Sequence, residues 1–119
     1  MLDSHAVVMA DRSGTICVWS AGAERLFGYD AETAIGARLD MIVPHEYRER
    51  HWAGFNAAMS GGQTTLDQPA ANLSVLRSDG TVVRYPGRLI YLRDAGGRGL
   101  GVIGIFTAQE GGDSSLPDM

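Results

Sequence analysis

The stretch Trp19-Ser20-Ala21-Gly22-Ala23-Glu24-Arg25-Leu26-Phe27-Gly28-Tyr29 carries the signals of a short helix with a marked beginning and a marked end. Ser20 can cap such a helix, because its hydroxyl oxygen accepts a hydrogen bond from a backbone N–H of the first turn. Gly28 can end it, because glycine adopts the left-handed backbone conformation without a steric penalty. The stretch therefore predicts a helix over residues 21–27.

A hairpin of two strands is predicted on the N-terminal side of this helix. His5-Ala6-Val7-Val8-Met9-Ala10 is short and apolar, and Thr15-Ile16-Cys17-Val18-Trp19 has the same character. Asp11-Arg12-Ser13-Gly14 lies between them and has the composition of a turn. On the C-terminal side, Asp30 begins a second short helical stretch, which Gly36 ends.

A longer helix is predicted from Pro44 to Met59. Proline is favoured in the first turn of a helix, where its missing N–H is not needed. Ser60-Gly61-Gly62 ends the helical pattern. Helical spacing places one group of side chains on a single face. This group consists of Tyr47, His51, Phe55 and Met59.

Three more strands are predicted in the C-terminal half. They cover residues 70–76, 81–92 and 100–106. Arg77-Ser78-Asp79-Gly80 and Asp94-Ala95-Gly96-Gly97 are the hairpin turns that connect them. Pro86-Gly87 predicts a bulge or a break in the middle strand, because proline cannot donate a ladder hydrogen bond. Residues 63–69 are predicted to form a loop, and residues 110–119 a disordered tail.

The order of these elements predicts an α+β fold. Two strands from the start of the chain and three from its end can form one five-stranded antiparallel sheet. The short helices and the one longer helix then cover one face of that sheet and enclose a ligand pocket against it.

Composition excludes several classes of protein. The chain has 119 residues, which suits one domain, and its net charge of -4 gives no basic footprint for nucleic acid. No apolar run approaches the length of a membrane span, and the N-terminus has no secretion signal. A single cysteine, Cys17, allows no internal disulfide, and a reducing, cytoplasmic location is expected.

Three residues are expected to have structural roles only. Cys17 lies among apolar strand residues and is predicted to be a buried thiol. Trp52 points about 100° away from His51 around the helix and is expected to pack on the sheet rim or on a dimer partner. His45, in the first helical turn, is expected to be solvated.

Several motifs together resemble the PAS family. Residues 19–29 resemble its N-x-A-A-E-x-L-F-G-Y segment, Ile35-Gly36 its A-I-G signal, and Arg77-Ser78-Asp79-Gly80-Thr81 its R-x-D-G-T hairpin. The resemblance extends from Ala6 to Thr107. It implies the PAS fold, a sensor domain over residues 1–109 and a separate tail over residues 110–119.

The longer helix resembles those of heme-binding oxygen-sensor PAS domains of the FixL and Dos types. Val43-Pro44-His45-Glu46-Tyr47-Arg48-Glu49-Arg50-His51 is similar to their (I/M)-P-x-x-x-R-x-x-H pattern without a gap. The final histidine of that pattern is their proximal iron ligand, so the resemblance implies that His51 binds the iron of heme b. A neutral imidazole is a good ligand for heme iron, and an apolar wall beside it suits a porphyrin.

The chain departs from both types at their other heme contacts. Ala71 stands where FixL-type domains have an arginine that hydrogen-bonds bound oxygen, and Pro69 where the Dos-type domain has a methionine ligand. Ala57 stands where these families often have a basic residue for a propionate. The residues expected to form the heme pocket are His51, Met41, Tyr47, Phe55, Met59, Gln68, Asn72, Leu73, Val102, Ile103 and Ile105.

The main functional hypothesis is a sensor of a diatomic gas (CO, NO or oxygen) or of redox state. Such a module would signal to a protein partner and is expected to form a homodimer, without nucleic acid or membrane. The alternative is a heme-free PAS module for protein interaction, or one that binds another small apolar ligand. The sequence shows no hydrolase triad and no metal cluster, so no enzymatic activity is expected.

Overall fold

The computed structural model describes residues 5–60 and 71–108. Its elements are β1 (His5–Asp11), β2 (Ile16–Trp19), α1 (Ala21–Phe27), α2 (Ala31–Ala34), two 3-10 turns (Leu39–Ile42 and His45–Tyr47), α3 (Arg48–Met59), β3 (Ala71–Leu76), β4 (Val82–Arg93) and β5 (Gly99–Thr107). The predicted α+β architecture is confirmed. The predicted loop at residues 63–69 and the predicted tail at residues 110–119 lie outside the described residues.

The five strands form one antiparallel sheet in the order β2-β1-β5-β4-β3. The last strand, β5, thus lies between β1 of the N-terminal hairpin and β4. Gly104 of β5 is opposite Val8 of β1 on one side and Leu89 of β4 on the other. Alternate residues of β1 and β5 are buried under the helices. One face of the sheet is therefore covered, and the core lies between that face and the helices.

Helix α1 has the predicted cap and the predicted stop. The Ser20 hydroxyl oxygen accepts a hydrogen bond from the Ala23 N–H at 3.2 Å, and Gly28 ends the helix with φ 91°. Gly22 allows the helix to lie directly on β1, because a Cβ at this position would collide with the His5 carbonyl oxygen. The helix then brings Phe27 into the core. The Phe27 ring packs edge-on against the rings of Trp19, Tyr85 and Phe106.

The longer predicted helix begins as a 3-10 turn over His45–Tyr47 and continues as α3. The Arg48 side chain fixes its start, because its Nε donates a hydrogen bond to the Val43 carbonyl oxygen at 3.0 Å. Phe55, Ala58 and Met59 are the buried residues of α3. At the end of the helix, Met59 lies against Gly99, the first residue of β5.

Two predictions about the strands were wrong. Strand β4 passes through Pro86 and Gly87 without a bulge, and its irregularity lies between Leu92 and Arg93. Pro86 is tolerated because β4 pairs with β5 only from Gly87 onward. The N–H that Pro86 lacks is therefore not needed for a hydrogen bond to β5. Cys17 is exposed, because β2 is an edge strand whose two middle residues are both exposed.

Candidate functional site

The helices and the sheet enclose an open-mouthed cavity of about 580 Å³. A cavity of this size lies within the range of small-molecule and cofactor sites in proteins. Its apolar wall comes from the 3-10 turn before α3, from α3 and from the three C-terminal strands. Among the residues that form this wall are Leu39, Ile42, Leu73, Leu89, Val102 and Phe106.

His51 lies in the cavity wall on α3. Its Nδ1 atom is buried and has no hydrogen-bond partner within residues 5–60 and 71–108. The imidazole stacks on Phe55, with ring centroids 6.1 Å apart, and meets the Trp52 ring edge-on at 4.8 Å. A buried ring nitrogen without a protein partner is uncommon in folded proteins, and strain, a bound water or a functional role can account for it.

The surroundings of His51 favour its neutral form. Burial lowers the pKa of the imidazole below its ordinary value, because the charged form loses hydration. The carboxylate of Asp40 acts in the opposite direction, but its effect is smaller. At neutral pH the ring therefore keeps a lone pair on one nitrogen, which is the form that binds a metal ion.

The structure brings part of the predicted pocket together. The predicted residues that line the cavity are Tyr47, His51, Phe55, Asn72, Leu73 and Val102. Gln68 lies outside the described residues. Four predicted residues are absent from the described part of the cavity wall: Met41, Met59, Ile103 and Ile105.

Strand alternation explains the placement of Ile103 and Ile105. Val102, Gly104 and Phe106 are the buried residues of this part of β5 and line the cavity, so the residues between them belong to the opposite face of the sheet. The sequence prediction assigned Val102, Ile103 and Ile105 of β5 to the pocket, although neighbouring residues of a strand point to opposite faces of the sheet. Only Val102 of that set lies beside the cavity.

Helix geometry explains the placement of the two methionines. Each residue of a helix advances it by about 100°. Met59 follows His51 by eight residues, so its side chain is rotated by about 80° from that of His51. Met59 is buried against Gly99, where a Cβ would come within 2.8 Å of the methionine sulfur. Met41 is half-buried, and its 3-10 turn instead buries Leu39 and Ile42.

Two arginines line the cavity that sequence reasoning did not include. Arg50 precedes His51 on α3, and Arg84 lies on β4 opposite Ser74 of β3. Helical spacing pairs Arg50 with Glu46, yet the Arg50 guanidinium lies over the Tyr47 ring, 5.6 Å from its centroid. Arg84 alternates along β4 with the buried residues Tyr85 and Gly87, so its side chain belongs to the other face of the sheet.

Trp52 connects the site to the N-terminal hairpin. A Cβ at Gly14, in the turn between β1 and β2, would come within 2.5 Å of the Trp52 ring. The Arg38 guanidinium lies over the Trp52 ring, 4.5 Å from the ring centroid. The expected position at the sheet rim is confirmed, since the ring packs on the hairpin turn and not in the cavity lining.

The chain forms a small α+β domain whose helices and sheet enclose a cavity. The chain belongs to the PAS family: the sequence profile described as PAS fold matches residues 4–108. PAS domains are generally sensory modules without catalysis, and they commonly dimerise and signal to partner domains. No helix in the described part of the chain is long and apolar enough to span a membrane.

Three curated proteins are similar in sequence. An uncharacterised protein of Azorhizobium caulinodans is 35% identical over 104 residues, which cover 84% of this chain and 14% of that protein. The sensor protein FixL of Bradyrhizobium diazoefficiens is 32% identical, and the oxygen sensor protein DosP of Escherichia coli is 25% identical. Each match covers 64% of this chain, but only 15% of FixL and 10% of DosP.

Two solved structures share the fold. The PAS domain of a protein from Colwellia psychrerythraea superimposes with a TM-score of 0.69 at 24% identity, covering 88% of this chain and 86% of that one. A light-oxygen-voltage domain studied with a flavin analogue gives a TM-score of 0.64 at 20% identity, covering 92% and 82% of the two chains. At these identities the likeness concerns the fold alone.

Proposed function

We propose that this PAS domain binds heme b through His51 and senses a diatomic gas or the redox state of the iron. The observation that carries the proposal is the His51 imidazole, which lies in the wall of an apolar cavity with a buried, unpartnered nitrogen. The likeness to FixL and to the oxygen sensor DosP supports it. The motif Val43–His51, which ends at this histidine, supports it further.

The residues of the cavity fit such a group. His51 would supply one axial ligand, and the cavity wall formed by Phe55, Leu73 and Val102 would contact the apolar face of the macrocycle. Within the described residues no group of three or more His, Cys, Asp or Glu side chains could hold a bare metal ion. A heme needs no such group, because the porphyrin itself provides four ligands to the iron.

The described wall opposite the helices determines which gas is favoured. When bound, the iron would supply a coordination position for CO, NO or oxygen. Leu89, Val102 and Phe106 are apolar, and Asn72 is the predicted distal residue that lines the cavity with a polar side chain. CO and NO need less hydrogen bonding than polar bound oxygen, so we propose that this domain prefers them.

Signalling would use the sheet. Strands β3, β4 and β5 supply both the cavity wall and the edge of the domain, so a ligand that changes the cavity also changes the sheet. A shift between two populations of the sheet would alter an interface with a partner protein or a second copy. Since the chain spans 15% or less of the curated relatives it matches, the output activity belongs to this proposal and not to the comparison.

The test is an absorbance titration of the purified protein with hemin. Wild type is expected to give a saturable Soret band, and His51→Ala to lose or shift it because the axial nitrogen is removed. Imidazole added to His51→Ala is expected to restore the band, since it can occupy the vacated space. His45→Ala is the matched control: His45 is exposed, lies outside the cavity wall and should leave the titration unchanged.

A titration that shows no saturable band in wild type contradicts heme binding. The same conclusion follows if His51→Ala, folded by circular dichroism, binds hemin with the wild-type spectrum. Either result would favour the alternative, a heme-free PAS interaction module or one that holds another apolar ligand. Mass spectrometry of the purified protein would then identify any small molecule that it retains.

A further inference from the structure

The His51 ring lacks the hydrogen bond that usually orients a metal-binding histidine. Such a histidine almost always donates its other ring N–H to a carboxylate, a carbonyl oxygen or a water molecule, and this bond fixes the ring. The buried Nδ1 of His51 has no acceptor within residues 5–60 and 71–108. The imidazole instead contacts two aromatic rings, those of Phe55 and Trp52. Within the described chain, the orientation of the imidazole therefore depends on these two rings.

The two aromatic rings restrict different movements of the imidazole. Phe55 lies nearly parallel to it, with an angle of 24° between the planes and 6.1 Å between the centroids. A parallel neighbour lets a ring slide along the shared plane. Trp52 stands across the imidazole at 71°, with centroids 4.8 Å apart, in the edge-to-face arrangement that aromatic pairs prefer. Trp52 is thus the contact that stops the sliding.

Trp52 needs contacts of its own to stay against the imidazole, because successive side chains of a helix project about 100° apart. Gly14 provides room for the Trp52 ring, since a Cβ at this glycine would come within 2.5 Å of the ring. The Arg38 guanidinium lies over the same ring, 4.5 Å from its centroid. A cation over the face of a tryptophan is attracted by the ring, more strongly than over phenylalanine or tyrosine.

The backbone of Arg38 is tied to the turn that contains Gly14. Arg38 forms an antiparallel bridge with Thr15, and the Leu39 N–H donates a hydrogen bond to the Gly14 carbonyl oxygen at 2.9 Å. The main chain on both sides of the Trp52 ring therefore belongs to one hydrogen-bonded unit. The Arg38 side chain extends over Trp52 from a fixed base.

We infer that Arg38 and Trp52 are positioning residues for His51: Arg38 holds the Trp52 ring, and the Trp52 ring holds the imidazole in the orientation that a ligand meets. Neither residue belongs to the described part of the cavity wall, so both act through His51 and not by touching the ligand. With heme iron as that ligand, the inference rests on the proposed function. The orientation of the ring can be measured without iron.

The first experiment uses the ligand-free protein. Nuclear magnetic resonance at about pH 8, where a histidine ring is neutral, gives the chemical shifts of the His51 ring protons, which are assigned by their loss in His51→Ala. The ring current of Trp52 displaces these shifts, so they report how Trp52 lies against the imidazole. Arg38→Gln is expected to move them toward their values in Trp52→Leu. Arg38→Lys keeps a cation and should retain the wild-type values, and so should the matched control Arg88→Gln, which removes an exposed cation of β4.

The second experiment uses the hemin-loaded protein and measures the rate of hemin transfer to excess apomyoglobin. Removing a residue that orients a metal ligand costs about tenfold or more in affinity, so Trp52→Leu is expected to release hemin about tenfold faster. Arg38→Gln should release it about twofold to fivefold faster, the size of a cation–π contact at an exposed site. Trp52→Phe retains an aromatic edge and should give an intermediate rate.

A double variant shows whether the two residues act in series. Arg38→Gln should have no further effect on hemin release in the Trp52→Leu background, because Arg38 acts through the Trp52 ring. Effects that add in the double variant contradict this order. Circular dichroism checks that each variant is folded, and if Trp52→Leu does not fold, Trp52→Phe takes its place in both experiments.

The inference and the proposed function fail in different ways. If Arg38→Gln leaves the His51 ring shifts at their wild-type values, or if all folded variants release hemin at the wild-type rate, the inference is wrong. If the shifts change as expected but wild type gives no saturable Soret band with hemin, heme binding is wrong and the positioning of the ring stands.

Discussion

At the scale of single residues, His51 combines a buried ring with an unusual lack of partners. Phe55 stacks on one side of the ring and Trp52 meets its edge, so the orientation is set by packing. Packing of this kind fixes a ring without consuming its hydrogen-bonding nitrogens. The imidazole is therefore ready to bind a ligand before any ligand arrives.

The lowered pKa of His51 makes a prediction about stability and pH in the ligand-free protein. The unfolded chain takes up a proton on this ring near pH 6.5, whereas the folded protein does so only at a lower pH. Between these values the unfolded state binds more protons, so the stability contribution is lost as the pH falls below about 6.5. One imidazole takes up at most one proton, so the loss cannot exceed about 1.4 kcal/mol per pH unit, and solvent in the open cavity reduces it further.

Urea unfolding of wild type and His51→Gln between pH 5 and pH 8 checks this prediction. The difference in unfolding free energy between the two proteins should be constant above pH 7. At lower pH, wild type should become less stable relative to His51→Gln. Other titrating groups cancel in the difference. Two parallel curves across the whole range would show that the folded protein does not disfavour the charged imidazole.

At the scale of secondary-structure elements, Ser20 joins α1 to the sheet. Its hydroxyl oxygen accepts from the Ala23 N–H at 3.2 Å and also from the Val7 N–H of β1 at 2.9 Å. The sequence predicts the first contact from the Ser–Gly pattern of the helix. It does not predict the second, because Val7 lies thirteen residues away and reaches Ser20 only when the hairpin closes.

Because the Ser20 hydroxyl accepts two hydrogen bonds, replacing Ser20 is expected to lower the unfolding free energy by more than the loss of an ordinary helix cap. Ser20→Ala removes the cap, worth about 1 kcal/mol, and leaves the Val7 N–H without an acceptor, which costs about 1 kcal/mol more. Asp30→Ala is the control, since the Asp30 carboxylate accepts from the Thr33 N–H of α2 in an exposed setting. It should cost only about 1 kcal/mol.

Chemical denaturation of both variants tests the comparison. Ser20→Ala is expected to lower the unfolding free energy by about twice as much as Asp30→Ala. Equal losses would mean that the hydrogen bond from the Val7 N–H to the Ser20 hydroxyl contributes nothing to the folded state.

The element scale also shows where sequence reasoning succeeds. Local signals placed the beginning and end of α1, both C-terminal hairpins and the body of α3, because caps, turns and helical spacing act between residues near in the chain. The two faces of β5 were not separated, since Val102 to Phe106 are apolar or glycine at every position and show no alternation. Burial decides their faces, and burial depends on the other strands.

At the scale of the whole molecule, the sheet order brings distant parts of the chain to one cavity. His51 was predictable because it closes a local motif that begins at Val43. Leu89 was not, because its position depends on how β4 pairs with β5 and how both lie against α3.

The central claim is that His51 holds an iron porphyrin inside the cavity, and the most direct measurement is a crystal structure of the hemin complex with the iron located by anomalous diffraction. The account predicts one iron peak in the cavity, bonded to His51. An iron peak on the protein surface or beside His45, with the cavity free of porphyrin, would contradict it.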